Sequence, residues 1–247
     1  MIKMTNSGID LQREVFDQPD KQYQQELILH PPMHTASETQ LVVNKLLERG
    51  RLSALGVRSH DAPRVVDFGS GTGRLTIPLL QAGLHVLPVD VSEESLKRLQ
   101  AFAAGLSLAL DQVSVTLPQN SQYSAVVGAD ILHHVPLDEY LPMIYKTLRP
   151  GGRIVFTEPG AFNPSWYLFV TLFVGWKAEK RLVTTNIPYL TAKLKKHGFS
   201  QIQITGLGFL PRPFFNRLPQ ASEINDRIGN LPFFKLFAYR YIIEATK

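Results

Sequence analysis

The run VVDFGSGTG, at positions 65–73 of this 247-residue chain, constrains the fold more than any other stretch. Val65 and Val66 predict a short buried strand, and glycines then alternate with other residues as far as Gly73. The segment RLTIPLLQAG that follows has a helical pattern. A buried strand that leads into a glycine-rich turn and a helix lets backbone N–H groups approach a ligand closely. The run therefore predicts a ligand-binding loop within alternating strands and helices.

The acid before the glycines narrows the class of ligand. Asp67 would repel the anionic pyrophosphate of a dinucleotide, whereas it would attract a cationic group. The spacing agrees, because the pattern G-x-G-x-x-G counted from Gly69 requires a glycine where Arg74 stands. A nicotinamide-dependent oxidoreductase is therefore the less favoured interpretation.

Five runs together resemble the class I S-adenosylmethionine-dependent methyltransferase family, whose first motif is an acid followed by G-x-G-x-G. Besides the glycine run they are HVLPVDVSEESLKRLQ (85–100), ADILHHV (129–135), LRPGGRIVFTEP (148–159) and YLTAKLKKHGFSQIQITG (189–206). They stand in the family's order and cover roughly residues 60–206. Five motifs in order are far more specific than one glycine loop.

The resemblance implies an α/β fold with a doubly wound, seven-stranded, mostly parallel sheet and a last antiparallel strand. LSLAL (106–110) is the predicted third strand, and Ser37 with Gln40 predicts a capping box that opens a helix. We expect an N-terminal arm and helix over residues 1–60 and a Rossmann-like methyltransferase domain over 61–247. Helical lid insertions are expected at about 160–188 and 208–237.

The resemblance implies S-adenosyl-L-methionine as the cofactor and assigns residues to it. Asp67 would orient the methionine amine, and Gly69 and Gly71 would let the loop approach the carboxypropyl group. Asp90 would accept both ribose hydroxyls, because a carboxylate offers several acceptor sites; capping of the next helix is the weaker interpretation, since Ser92 fits the cap. Asp111 is assigned to the adenine, and the other expected cofactor contacts are Val91, Gln112, Gly128 and Ala129.

Catalysis of methyl transfer needs mostly placement and desolvation, with a general base where the acceptor must lose a proton. The candidate bases are His134, His133 and Glu158, with His30 and His34 as further histidines. We expect no metal, because Asp130 and Glu158 do not form the acid cluster of magnesium-dependent methyltransferases of this fold.

Composition limits the kinds of site and partner that the protein can have. The chain is 44% hydrophobic, has a net charge of +5 and contains no cysteine, so disulfides and thiolate metal sites are excluded. No secretory signal is recognised, which predicts a cytoplasmic protein. Residues 160–184 are rich in aromatics, and between positions 177 and 217 Glu179 is the only acid among many bases. This region predicts a solvated face, or contact with an acidic substrate or with an anionic membrane surface.

The sequence therefore predicts a methyltransferase acting on a small, partly apolar molecule, with O-methylation favoured and a lipid-like acceptor as one alternative. A non-catalytic protein that binds S-adenosylmethionine or a partner is another alternative. Nucleic acid is not expected as a substrate, because ADIL stands where an N-P-P-Y tetrapeptide would follow the fourth strand.

Overall fold

Six strands form one sheet in the computed structural model, which describes residues 25–50, 63–110, 112–176 and 179–247. The strands are β1 (Arg64–Phe68), β2 (His85–Val89), β3 (Tyr123–Ala129), β4 (Leu148–Pro159), β5 (Ser200–Leu207) and β6 (Arg240–Thr246). Their spatial order is β2-β1-β3-β4-β6-β5. Strands β1 to β4 run parallel, and β6 is antiparallel to both β4 and β5. The predicted mostly parallel α/β sheet with a last antiparallel strand is confirmed.

Eight α-helices of the described residues connect or cover these strands. They are α1 (Gln25–Leu29), α2 (Met33–Gly50), α3 (Thr76–Gln81), α4 (Glu93–Gly105), α5 (Leu137–Thr147), α6 (Pro164–Phe169), α7 (Ile187–Lys196) and α8 (Pro219–Gly229). Helix α6 continues as a π-helical turn over Val170–Val174. Short 3-10 turns lie at Leu182–Thr184, Arg212–Phe215 and Phe234–Phe237. None of the described helices is long and apolar enough to cross a membrane.

Two apolar layers cover the faces of the sheet, because successive strand residues point to opposite sides. Val66 belongs to the layer that contains α5 and α7, whereas its neighbour Val65 belongs to the layer that contains α2 and α3. Ile154 and Val155 of β4 divide in the same way, and both are fully buried. Burial on both faces explains why the strands read as continuous apolar runs.

The predicted third strand at residues 106–110 is wrong, and the described sheet has six strands rather than the predicted seven. The amides of Leu106 and Leu108 close the end of α4, where both donate to the carbonyl oxygen of Ala103. Ser107 between them has a φ of +55°. The alternating leucines pack against the cluster around Leu99 and Phe102 instead of pairing with β2. Beside β2, the described residues add an isolated parallel bridge between Val89 and Ser114, which does not extend into a strand.

The predicted capping box at Ser37 and Gln40 is also wrong. Helix α2 begins at Met33, where the amides of Thr35 and Ala36 donate to the carbonyl oxygen of Pro32. Ser37 lies inside the helix and its hydroxyl donates to the carbonyl oxygen of His34. The proline pair before Met33 therefore sets the start of the helix. The predicted arm before residue 25 lies outside the described residues.

Candidate functional site

The glycine loop, residues 69–75, connects β1 to α3 and needs its glycines for two different reasons. Gly69, Gly71 and Gly73 all have positive φ values, of 75°, 50° and 108°. A Cβ at Gly69 would lie 2.7 Å from Ile131, and one at Gly73 would lie 2.5 Å from Leu99. A Cβ at Gly71 would meet no atom within 4 Å. Two glycines therefore permit close packing, and the third faces open space.

That open space is a cavity of about 400 Å³ at the carboxyl ends of the parallel strands. It lies at the topological switch point of the sheet, between β1 and β3, where the strand order reverses. Ligands usually bind at this position in open α/β sheets. The sequence-predicted residues that line it are Asp67, Gly69, Gly71, Asp90, Val91, Ala129, His133 and His134.

Asp67 lies at the base of this cavity with a side chain that is almost fully buried. The hydroxyl of Thr76 donates to Asp67 Oδ2 over 2.6 Å. Burial raises the pKa of Asp67 to about 7, although the bond from Thr76 acts in the opposite direction. A carboxyl group held this way gains from a cationic ligand nearby, because a positive charge favours its ionised form.

Asp90 joins the end of β2 to the glycine loop. Its Oδ2 accepts from the amide of Gly71 over 2.8 Å, and its Oδ1 accepts from the amide of Ser92 over 2.9 Å. The cap of α4 is supplied by Ser92, whose hydroxyl oxygen accepts from the amide of Ser95. The carboxylate therefore has a loop-positioning role and keeps acceptor sites that can face the cavity.

Two of the predicted contacts lie elsewhere, and a third is not among the described residues. Gly128 is in β3, where a Cβ would lie 2.7 Å from both Phe156 and the carbonyl oxygen of Phe68, so it is a packing glycine. Gln112 is exposed and does not line the cavity. Asp111 lies outside the described residues. The wall at this position is instead formed by Val115, Thr116 and Leu117.

His133 and Glu158 form a buried pair behind the cavity wall. His133 Nδ1 lies 2.6 Å from Glu158 Oε2, and Glu158 Oε1 accepts from the amides of Ile131 and Leu132. Glu158 is fully buried and does not line the cavity, so the structure gives it a positioning role. It fixes the loop after β3 and orients the His133 ring.

The other nitrogen of His133, Nε2, lies 3.1 Å from Oε2 of Glu179. Burial alone would lower the pKa of His133, but Glu158 and then Glu179 raise it to about 10. The two carboxylates therefore favour the protonated form of the His133 ring, which makes it the poorer candidate for a general base. His134 lines the same cavity with its ring centroid 4.0 Å from that of His133, which leaves it as the candidate base of the pair.

The two histidines predicted from the arm lie differently. His30 is exposed and does not line the cavity. His34 Nδ1 lies 2.7 Å from Asn216 Oδ1, and burial lowers the pKa of its ring. Neither is among the residues that surround the cavity.

A buried ion network holds the glycine loop against the sheet. Arg74 donates to Asp130 Oδ2 over 2.7 Å, and Arg240 lies 2.7 Å from Asp130 Oδ1 and 2.8 Å from Glu38 Oε1. Burial alone would raise the pKa values of Asp130 and Glu38, but Arg240 and Arg74 hold both below their usual range. Arg74 thus ties the loop to the end of β3, and Asp130 remains ionised.

The aromatic segment, residues 160–184, forms the opposite wall. Its cavity-lining members are Trp166, Phe169 and Val170, whose helical spacing predicted an amphipathic helix, together with Glu179 and Leu182. Helix α6 is anchored at its start, where the Asn163 amide donates to the carbonyl oxygens of Phe209 and Phe237. The Trp166 ring stacks on Tyr239 with centroids 4.7 Å apart. The sequence signal for this wall was the spacing of its aromatic and apolar residues, whereas Glu179 stood out only as the sole acid in a basic region.

The far end of the same segment is exposed. Leu172 and Phe173 in the π-helical turn are 62% and 70% exposed, and Leu168 in α6 is 63% exposed. These apolar side chains form an exposed ridge beside the cavity-lining residues Phe169 and Val170, of which Val170 is buried. The segment therefore has one face toward the cavity and one face toward solvent.

A parallel sheet with a glycine loop and an acid after β2 at its switch point defines a Rossmann-like cofactor-binding domain. The family model described as "Methyltransferase domain" matches residues 66–154. An uncharacterized methyltransferase of Mycobacterium tuberculosis is 38% identical over 94 residues, which span 38% of each chain. A ubiquinone biosynthesis O-methyltransferase of Nitrosococcus oceani is 28% identical over 187 residues, 68% of this chain and 78% of the relative.

Solved structures show the same fold. The phosphoethanolamine N-methyltransferase 2 of Haemonchus contortus in complex with S-adenosyl-L-methionine matches all of this chain and 61% of that chain, with a TM-score of 0.66 and 16% identity. The magnesium protoporphyrin IX methyltransferase of Synechocystis PCC 6803 matches over the full length of both chains, with a TM-score of 0.56 and 19% identity. Residues 66–154 thus match a methyltransferase domain, and the chain has the fold of S-adenosylmethionine-dependent methyltransferases, as its motifs predicted.

Proposed function

We propose that this protein transfers a methyl group from S-adenosylmethionine to an oxygen of a small, partly apolar molecule. The observation that carries the proposal is that one cavity joins the glycine loop and Asp90 to the histidine pair and the aromatic segment. The first set suits a cofactor, and the second suits an acceptor.

The cofactor side matches the chemical groups of S-adenosylmethionine. When bound, this cofactor supplies an electrophilic sulfonium methyl group. Asp67 is placed to favour a cationic amine, and Gly71 leaves the space for a close approach of the ligand. Asp90 offers carboxylate oxygens for the ribose hydroxyls while its bonds to the loop keep it oriented. Reaction rate then depends on how well the protein positions the acceptor and excludes water.

The acceptor side is mostly apolar. Met143, Tyr140, Trp166 and Phe169 contribute carbon surface, and His134 is the candidate base for an acceptor hydroxyl. We propose that the aromatic segment acts as a lid, anchored at Asn163 and closing over the acceptor. Relatives named as ubiquinone biosynthesis O-methyltransferases support an oxygen acceptor.

Calorimetric titration and product analysis test this function. S-adenosylhomocysteine should bind and NAD should not, and labelled S-adenosylmethionine mixed with a metabolite extract should label a small apolar compound. Binding without any labelled product would favour a protein that only binds the cofactor. Label in DNA, RNA or protein would contradict the proposed acceptor class.

A membrane-resident acceptor is a second candidate, favoured by the exposed apolar side chains of Leu168, Leu172 and Phe173 and by the bases Lys180 and Arg181 later in the same segment. Apolar side chains flanked by bases suit an anionic membrane surface. Co-sedimentation with anionic vesicles should then fall in Phe173→Ser. The control is Ile224→Ser, because Ile224 is 59% exposed in α8 and does not line the cavity. Equal co-sedimentation of both variants and wild type would exclude this candidate.

A further inference from the structure

Two histidines and a glutamate converge on the acceptor end of the cavity. Among the described residues, His133, His134 and Glu179 are a group whose ligand atoms all lie within 4.8 Å of one another. All three line the cavity. We expected no metal from the sequence because Asp130 and Glu158 do not form an acid cluster. In the structure, Asp130 forms ion pairs with arginines and Glu158 lies beside His133. The donor set found here is a different one.

We propose that His133, His134 and Glu179 bind a divalent transition-metal ion of the zinc type. Two imidazole nitrogens and one carboxylate oxygen are the ligands of many catalytic zinc sites, whereas magnesium prefers oxygen ligands alone. Three protein ligands also leave a coordination position free for a water or a substrate oxygen. The inference rests on the proposed function and deepens it, since that position would take the acceptor oxygen, and the ion would then replace His134 as the group that favours loss of the acceptor proton.

The distances fit such an ion. His133 Nε2 and Glu179 Oε2 are 3.1 Å apart. Ligands at about 2.0–2.2 Å from one ion lie roughly 3 Å from each other at tetrahedral or octahedral angles. The third donor is a ring nitrogen of His134, which lies within 4.8 Å of the ligand atoms of His133 and Glu179.

The surroundings of His133 are those of a metal-binding histidine. Its Nδ1 lies 2.6 Å from Glu158, which is fully buried and fixed by the amides of Ile131 and Leu132. A carboxylate on the far nitrogen orients the ring and leaves the near nitrogen for the ion. A simple imidazolium bridge between two acids would have the same contacts, so the experiment must separate these two states.

Titration with Co²⁺ separates them, because Co²⁺ replaces zinc and absorbs visible light when protein ligands bind it. Wild type should bind one equivalent per chain, with Zn²⁺ competing and Mg²⁺ not competing. Glu179→Gln and His134→Ala should each weaken binding at least about tenfold, since even outer partners of metal ligands cost that much. The matched control is His197→Ala, which removes a half-buried histidine that lies outside the cavity, 3.0 Å from Asp138, and should leave Co²⁺ binding unchanged.

Three results of this titration would overturn the metal site. Absence of saturable Co²⁺ binding in wild type overturns the site, and so does unchanged affinity in both Glu179→Gln and His134→Ala when circular dichroism shows that the variants are folded. Loss of binding in His197→Ala would place the ion elsewhere and also overturn it. Failure of the proposed function is seen separately, as failure of S-adenosylhomocysteine to bind, and leaves the Co²⁺ result standing.

Discussion

The two walls of the cavity are built from different kinds of interaction. The wall formed by the glycine loop and the end of β2 is fixed by backbone geometry: three positive-φ glycines and two amides that donate to Asp90. The wall formed by the aromatic segment is held at one end by Asn163 and Trp166 and exposes apolar side chains at the other. The main chain therefore sets the shape of the first wall, which we propose receives the cofactor. The second can change its residues without disturbing the first, which is how one fold serves different acceptors.

The sharpest test of the first wall compares three glycines with the same backbone strain. Gly69→Val should lower the free energy of unfolding by about 3 kcal/mol, because overpacking against Ile131 adds to the cost of a left-handed conformation. Gly71→Val should cost less stability but weaken S-adenosylhomocysteine binding about 100-fold, since its Cβ enters ligand space. Urea unfolding and calorimetry measure the two effects.

Gly83→Val is the matched control, because Gly83 has a φ of +80° and open space around it but does not line the cavity. It should match Gly71→Val in stability and wild type in affinity. If Gly71→Val binds the ligand as well as Gly83→Val does, the close approach at Gly71 is not part of the site.

The second test concerns the aromatic wall. Phe169→Ser removes a ring that lines the cavity and should reduce turnover by up to about 100-fold through misplacement of the acceptor, while S-adenosylhomocysteine affinity stays near wild type. Leu172→Ser is the control, since that side chain is 62% exposed and is not among the cavity-lining residues. Parallel loss of cofactor binding and folding in Phe169→Ser would show that the segment is core rather than lid.

Asp90→Ala should weaken S-adenosylhomocysteine binding by about 1–3 kcal/mol, the usual value of hydrogen bonds to a charged group. Asp90→Asn keeps one acceptor oxygen for the Gly71 amide and should lose less affinity than the alanine variant. Calorimetry at matched temperature checks both. An alanine variant with wild-type affinity would remove Asp90 from the ribose contacts.

The two walls also differ in how far the sequence predicts them. The glycine loop and Asp90 were predicted because these residues are close in sequence. The loop also requires positive φ angles, which favour glycine. The third strand was mispredicted because alternating leucines at 106–110 fit a strand as well as they fit packing on α4. The lid that contains Trp166 was predicted, but the pairing of Glu179 with His133 and the stacking of Trp166 on Tyr239 were not, since these contacts depend on partners far along the chain. Periodicity carries no information about such pairs.

The smallest expected effect concerns Asp67, whose contributions to folding stability and to ligand binding should have opposite signs. The pKa of Asp67 is raised from 3.8 to about 7 by burial, so the folded chain binds this proton more tightly than the unfolded chain does. Stability should therefore fall as pH rises from about 4 to about 7. Asp67→Asn removes this slope and, if its amide oxygen accepts from Thr76, should be at least about 1 kcal/mol more stable than wild type at pH 8.

The same variant should bind S-adenosylhomocysteine more weakly, because it lacks the charge that attracts the amine. Urea unfolding at pH 5 and pH 8 and calorimetry at pH 8 give both quantities. Asp138→Asn is the control of opposite sign, since Lys193 and Lys196 hold the pKa of Asp138 below its usual range and its carboxylate stabilises the folded chain above that range. If Asp67→Asn is less stable than wild type at pH 8, the ionised carboxylate of Asp67 stabilises the folded chain. Its burial would then not be a cost to stability that serves ligand binding.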